Sequence, residues 1–344
     1  MKIVQRELKK TAIRLHSHAA ELSRESSLVF TKSGLLMIFL DKPFEFCIAG
    51  SFIICNMKNR FNLLKTIEVW DTKRNSGNYF KISKVDEQSM ILLSFNTGDQ
   101  CIYKLSDSFD IRKLTRLDAG KDLSKAFKIE KSPFIAGVQL IAETLSFWFS
   151  NSGELAKSFP LSGPPFHTEY ISAWDTVVID TKSAISVYEM TFTDREDINT
   201  LTFVQKYAIK KAEDSMLNGV SLHEEFLLLG LSNNVIYFII SVNQKGQIVN
   251  SQTFAGSEQV SLKQTFLFDE KNKVAVICEK SKAMFHELTP LISEKNGFSK
   301  SLFYSEIPLD SRILLQDGAG NLFNLYNHLK GHFLYLGIAQ ILLK

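Results

Sequence analysis

The sequence predicts an all-β fold, a β-propeller of about seven blades, from three observations. Pairs of short apolar runs joined by a polar turn recur along the 344-residue chain, and such pairs are typical of β-hairpins. The pairs recur every 35 to 50 residues, roughly the period of a four-stranded propeller blade. The runs show no 3.6-residue periodicity, which argues against stacked helical repeats. We therefore expect residues 26–344 to form a single propeller domain.

Five of the hairpins are regular. They begin at Met90, Asp175, Glu225, Asn272 and Ser311. Their turns include Thr97-Gly98-Asp99, Asn233-Asn234 and Asp317-Gly318, and these residue types accept a positive φ at little cost. Turn chemistry and strand pattern therefore predict the same hairpins.

Two further copies, starting at Phe46 and Ser132, are less regular and bring the number to seven. An eighth apolar hairpin, Ser26 to Leu40, precedes them. A closed propeller has to remove its open sheet edge, which is commonly done by an N-terminal strand that completes the last blade. Leu28 to Leu40 could supply that strand. The C-terminal segment from His332, or a fold of eight blades, are the alternatives.

Residues 1–25 form an N-terminal extension with helix-like apolar spacing. The apolar positions are Val4, Leu8, Ala12, Leu15, Ala19 and Leu22. This spacing would place them on one face of a helix, so the sequence predicts a short helix outside the propeller.

Targeting and cysteine usage indicate the nucleus or the cytoplasm. The N-terminus has no apolar core of signal-peptide length, and its Glu residues argue against a mitochondrial presequence. The four cysteines are far apart, as expected of buried thiols in a reducing compartment. No apolar run approaches the roughly 20 residues that cross a bilayer, so we expect no membrane association.

The sequence contains no recognisable catalytic or cofactor motif. Phosphate-binding glycine loops and the nucleophile elbow are missing. His328 and His332 have i, i+4 spacing, but no third metal ligand stands beside them. We therefore expect a non-catalytic protein without cofactor, metal or small-molecule substrate. A propeller enzyme would require His and carboxylate groups that converge in the central channel.

Basic residues are concentrated between Ile111 and Lys131. This stretch has seven Lys and Arg against three Asp and Glu. It could contact a phosphate backbone, including tRNA, or an acidic protein surface; a solvated inter-blade connection is the simpler alternative. The candidate partner or RNA contacts are Lys73, Arg74, Arg112, Lys113, Arg116, Lys121, Lys125 and Lys182.

One segment carries a family resemblance. Thr66 to Lys73 resembles the end of a WD repeat, in which an alternating strand ends in Trp-Asp, here Trp70-Asp71. The hairpin order with degenerate repeats resembles the non-catalytic WD-repeat subunits of eukaryotic tRNA guanine-N7 methyltransferases. The likeness lies in Phe46 to Asp71, in Leu92 to Asp99, and in Arg112 to Lys131.

The resemblance implies a chain that orients a separate methyltransferase subunit, binds no methyl donor and helps to seat tRNA. One departure concerns Asp180 to Val187, where that family has a charged turn that engages its catalytic partner; only Lys182 and the strand pattern survive here. The alternative function is a peptide-binding adaptor in a chromatin, trafficking, ubiquitin-ligase or nuclear-pore complex.

Overall fold

The computed structural model describes the strands and most of the middle of the chain. The described residues are 3–14, 28–30, 35–43, 48–56, 62–71, 80–86, 90–95, 98–106, 110–212, 214–223, 225–233, 236–255, 265–269, 274–278, 282–287, 303–308, 313–316, 322–330 and 333–343. The structure describes side chains mainly between residues 83 and 253. The predicted strands at Met90, Asp175 and Glu225 fall in this part.

The described residues form seven four-stranded sheets, the blades of a β-propeller. The first strand, β1 (Ile3–Arg14), belongs to the seventh sheet. Blade 1 contains β2 (Leu28–Phe30), β3 (Leu35–Pro43), β4 (Ile48–Asn56) and β5 (Asn62–Asp71). Blade 2 contains β6 (Phe80–Lys84), β7 (Met90–Phe95), β8 (Gln100–Leu105) and β9 (Ile111–Leu117). Blade 3 contains β10 (Leu123–Lys128), β11 (Phe134–Gln139), β12 (Thr144–Phe149) and β13 (Leu155–Pro160).

The remaining blades repeat this pattern. Blade 4 contains β14 (His167–Ile171), β15 (Thr176–Asp180), β16 (Ala184–Phe192) and β17 (Leu201–Lys210). Blade 5 contains β18 (Met216–His223), β19 (Phe226–Ser232), β20 (Ile236–Val242) and β21 (Ile248–Ala255). Blade 6 contains β22 (Thr265–Asp269), β23 (Val274–Cys278), β24 (Lys282–Glu287) and β25 (Phe303–Pro308). Blade 7 contains β26 (Ile313–Gln316), β27 (Leu322–Lys330), β28 (Phe333–Leu343) and β1.

The helices of the described residues are three short 3-10 turns, Gly120–Asp122, Ser172–Trp174 and Ile198–Thr200. In blades 1 to 6, strands that follow one another in the chain are hydrogen-bonded neighbours, and their registers are antiparallel. The prediction of an all-β propeller is confirmed.

The eight hairpins of the sequence combine into seven sheets because two of them share one blade. The hairpin Ser26 to Leu40 supplies β2 and β3, and the irregular hairpin that starts at Phe46 supplies β4 and β5 of the same sheet. Strand β5 ends at Asp71, as the Trp-Asp motif predicts. The alternative in which Leu28 to Leu40 completes the last blade is therefore wrong.

The last blade is completed by β1, which lies beside β28 at the sheet edge. The helix prediction is wrong for residues 3–14, and residues 15–27 lie outside the described part. Three strands, β26 to β28, come from the C-terminus and leave one edge unpaired. Pairing of that edge with Ile3–Arg14 satisfies the backbone groups of both segments, which decides the conformation over the local apolar spacing.

The chain packs into two compact units. One consists of Gln5–Ser158 and Ser311–Ile341, and the other of Phe159–Asp310 with the extreme ends Met1–Val4 and Leu342–Lys344. The first unit has an apolar cluster that includes Leu92, Ile135 and Trp148. The second has one that includes Val178, Leu229 and Val242. Blades 4 to 6 lie in the second unit.

Burial differs between a middle strand and an edge strand of blade 4. All five residues of β15 are buried, whereas most of β17, at an edge of the sheet, is partly or fully exposed. A strand with both faces covered tolerates a continuous apolar run, which explains the run Val177 to Ile179. Phe147 and Trp148 of β12 are fully buried as well.

Two of the predicted turns fall in part on described residues. Gly98 between β7 and β8 has φ +96°, the conformation for which glycine was expected. Asn233 follows β19, and its side-chain oxygen accepts a hydrogen bond from the backbone N–H of Ile236 at 2.8 Å. Asp317-Gly318 lies outside the described residues.

Candidate functional site

Three of the predicted basic residues lie on one strand. Arg112, Lys113 and Arg116 belong to β9, an edge strand of blade 2, and all three are exposed. In the β8–β9 register, Arg112 is directly opposite Lys104, which is also exposed. We call Lys104, Arg112, Lys113 and Arg116 the basic edge.

A β-bulge places Lys113 and Arg116 on the same face of the sheet. Leu114 has no partner in the register, so that Lys113 stands opposite Tyr103 and Arg116 opposite Cys101. These residues share one face, and Lys104 and Arg112 share the other because side chains alternate along a strand. Such bulges change the direction in which neighbouring side chains point.

The two faces differ in how their charges are compensated. Arg116 forms an ion pair with Asp99 at 2.5 Å, and only 9% of the Asp99 side chain is exposed. Burial raises the pKa of the Cys101 thiol, an effect opposed by the nearby ammonium of Lys113. On the other face, Lys104 and Arg112 are like charges in directly opposed positions, an arrangement that is destabilising by itself and that a bound anion would relieve.

Lys128, another residue of the predicted basic stretch, is not fully exposed. Lys128 is half-buried on β10, and its ammonium donates hydrogen bonds to the carbonyls of Ser132 and Phe134. Burial lowers the pKa of Lys128 to about 8, although the Asp86 carboxylate acts in the opposite direction. Lys128 therefore supports the β10–β11 turn from inside.

The other predicted contacts are dispersed. Lys121 lies in the 3-10 turn before blade 3, and Lys125 is partly buried on β10. Lys182 is exposed in the β15–β16 turn, within the second compact unit. The pair Lys73-Arg74 lies outside the described residues. The structure thus groups Arg112, Lys113 and Arg116 but gives Lys121, Lys125 and Lys182 separate positions.

The sequence reasoning missed Lys104. It stands seven residues before Ile111 in a strand that reads as apolar, and only the register places it beside Arg112. Pairing of the regular hairpin from Met90 with the following strand could have suggested this neighbour.

In the part of the chain that the structure describes, no group of three or more His, Cys, Asp or Glu is placed to hold a metal ion. None of the described residues belongs to a helix with the length and apolar character needed to cross a membrane.

Comparison with solved structures identifies a WD40-like β-propeller fold. A chain of the "Crystal Structure of Mitotic Checkpoint Complex" aligns at 10% identity over 96% of this chain and 90% of that chain, with a TM-score of 0.61. A protein from Lactobacillus plantarum aligns at 12% identity over 87% of this chain and 96% of that chain, with a TM-score of 0.56. At such identities the likeness shows the fold alone.

No protein-family model matches the chain, and no curated protein matches it. The solved structures confirm the WD-repeat likeness of the sequence for the fold. The resemblance to the methyltransferase subunit stays a prediction.

Proposed function

We propose that this protein is a non-catalytic scaffold subunit of a macromolecular complex, and that its specific role is to support a tRNA (guanine-N7) methyltransferase. The WD40-like propeller supports the scaffold role, since this fold presents several loop-rich surfaces on a rigid core. The basic edge supports the RNA-related form of the role.

The basic edge is the observation that carries the specific proposal. Lys104, Arg112 and Lys113 are exposed on β8 and β9, and within the described residues Arg116 alone of the four has an ion-pair partner. Charged residues also protect an exposed strand edge from pairing with other chains. Protection of the edge requires charge of either sign, whereas RNA binding requires positive charge, and this difference can be tested.

Charge reversal separates the two explanations. The double variant R112E/K113E is compared with K210E/K245E, which changes the net charge equally at exposed lysines of blades 4 and 5. We expect the first variant to weaken tRNA binding and to lower the salt slope of the affinity by about 2, the amount expected for two lost phosphate contacts. Equal affinities of the two variants would contradict an RNA role of the basic edge.

Affinity purification with mass spectrometry tests the complex. We expect a methyltransferase subunit to co-purify with the chain, and RNase treatment should not reduce the amount recovered. Partners without any link to RNA or methyl transfer would contradict the specific form and would favour the peptide-binding adaptor. Recovery of the chain as a partnerless monomer would contradict the scaffold role itself.

A further inference from the structure

A small cavity in the second compact unit combines aromatic rings with a carboxylate. It has a volume of about 170 Å³ and is lined by Trp174, Thr176, Val187, Glu189, Lys206, Tyr207 and Gln244. Pockets for drug-sized ligands have volumes of roughly 300 to 1,000 Å³. The volume therefore suits a single amino-acid side chain better than a free metabolite.

The register of blade 4 explains why these residues meet. Glu189 is directly opposite Thr176, and Val187 is directly opposite Tyr207. Val187 and Glu189 lie two residues apart on β16 and so face the same side of the sheet. A β-bulge between Val187 and Tyr188 leaves Lys206 without a register partner, which frees this lysine from the regular alternation.

The aromatic side of the cavity is held rigidly. Trp174 and Tyr207 both pack on the apolar cluster of the second unit. A Cβ added at Gly246, in the β20–β21 turn, would lie only 2.5 Å from Cγ of Tyr207, so the turn rests directly on this ring. Burial raises the pKa of the Tyr207 phenol to about 12, and the ring stays neutral at physiological pH.

The acidic side already holds a cation of the chain itself. The Lys206 ammonium lies 3.5 Å from the Glu189 carboxylate, and both side chains are more than 40% exposed. Exposed ion pairs contribute at most about 1 kcal/mol, so an incoming cation can take the place of Lys206. Aromatic rings beside a carboxylate are a favourable environment for a cation.

We propose that this cavity binds a cationic side chain, specifically the arginine of a partner peptide. The guanidinium would replace Lys206 at Glu189 and contact the rings of Trp174 and Tyr207. Arginine is favoured over lysine because its planar group stacks on aromatic rings and pairs with a carboxylate through two hydrogen bonds. This inference rests on the proposed scaffold function, since it names the chemistry by which one protein partner would be held.

The test uses the purified full chain and two small probes. N-acetyl-arginine methylamide is titrated against the protein, and the citrulline analogue serves as a neutral probe of nearly the same shape. The readout is the NMR signal of the Trp174 indole N–H, identified among the three tryptophans with the variant W174F. We expect a saturable shift with the arginine probe and a much weaker one with citrulline.

Two variants decide the sign of the charge that the cavity prefers. E189Q should weaken binding of the arginine probe severalfold, because it removes the carboxylate. K206M should strengthen binding by up to about fivefold, because it removes the competing ammonium, whose pair is worth no more than about 1 kcal/mol. A cavity that prefers anions would respond to K206M in the opposite direction.

An equal response to arginine and citrulline, no response to arginine, or weaker binding by K206M would overturn the inference. The thermal midpoints of E189Q and K206M serve as folding controls, and the two variants test the inference independently. The experiment requires neither tRNA nor a methyltransferase. Its failure therefore leaves the proposed complex untouched, and failure of the co-purification leaves the cavity result valid.

Discussion

The buried ion pair between Asp180 and Lys211 provides the sharpest test of how blades 4 and 5 hold together. The Asp180 side chain is fully buried and that of Lys211 is 3% exposed. Asp180 accepts hydrogen bonds from the Lys211 ammonium and, through its other oxygen, from the backbone N–H of Leu217 at 3.0 Å. The ammonium also donates to the carbonyl of Ser215 at 2.6 Å. The pair thus connects the end of β15 with the start of β18.

The perturbation is K211M, which leaves the buried carboxylate with the Leu217 N–H as its partner. Removing one member of a buried pair costs about 3 to 5 kcal/mol. Since 1 kcal/mol shifts the midpoint by roughly 2 to 4 °C in a unit of 150 to 250 residues, we expect thermal unfolding at a temperature lower by about 10 °C. Urea denaturation followed by circular dichroism would give the free energy of unfolding directly.

The double variant D180N/K211M separates charge from packing. It removes both charges, while the amide oxygen of the new Asn can still accept the Leu217 N–H. We expect it to lose only about 1 to 2 kcal/mol, roughly the worth of one hydrogen bond, and so to be more stable than K211M. The matched control is E189Q, which breaks an exposed pair and should cost less than about 1 kcal/mol.

Two results would refute this reasoning. One is a K211M variant that loses less than about 1 kcal/mol, as expected only of a solvent-exposed pair. The other is a double variant no more stable than the single one, which would show that shape, and not an uncompensated charge, causes the loss.

Two further predictions concern the first compact unit. Burial lowers the pKa of Lys128 from 10.5 to about 8, so between these values the unfolded chain binds more protons and the contribution of Lys128 to stability rises with pH. K128M should abolish that rise in urea midpoints measured from pH 7.5 to 10, and an unchanged pH slope would contradict the assignment. Gly153 has φ +77°, and an added Cβ would collide with the backbone carbonyl of Arg116. G153A should therefore lower the free energy of unfolding, measured by urea denaturation, by several kcal/mol. The control G120A, at φ +63° with open space around it, should lower it by only about 1 to 2 kcal/mol. Equal losses in the two variants would show that backbone strain alone matters.

The sequence predicted the fold through features that depend on near neighbours. Hairpins need two runs and a turn within about 20 residues, and Gly98 and Asn233 mark such turns with the expected chemistry. Segments whose partners are distant were misjudged. Residues 3–14 were expected to be helical, yet they pair with a strand more than 300 residues further along the chain.

The candidate sites show the same division. The excess of positive charge between Ile111 and Lys131 was visible in the sequence, but the charged residues have different environments. Arg112 is exposed, whereas the Lys128 ammonium donates hydrogen bonds to backbone carbonyls. Lys104 joins Arg112 only through the strand register. Charge content is a property of composition, whereas a charged surface is a property of which side chains the packing leaves outside.

The sequence by itself determined the all-β class and the repeated hairpins, because alternation and turn chemistry act locally. The tertiary structure decided how eight hairpins become seven sheets and that the N-terminal strand completes the last of them. It also decided which charges are buried, as in Asp180 and Lys211, and that Trp174 and Glu189 line one cavity. These outcomes depend on contacts between segments that are distant in the sequence, and a local sequence pattern does not reveal the free energy of such contacts.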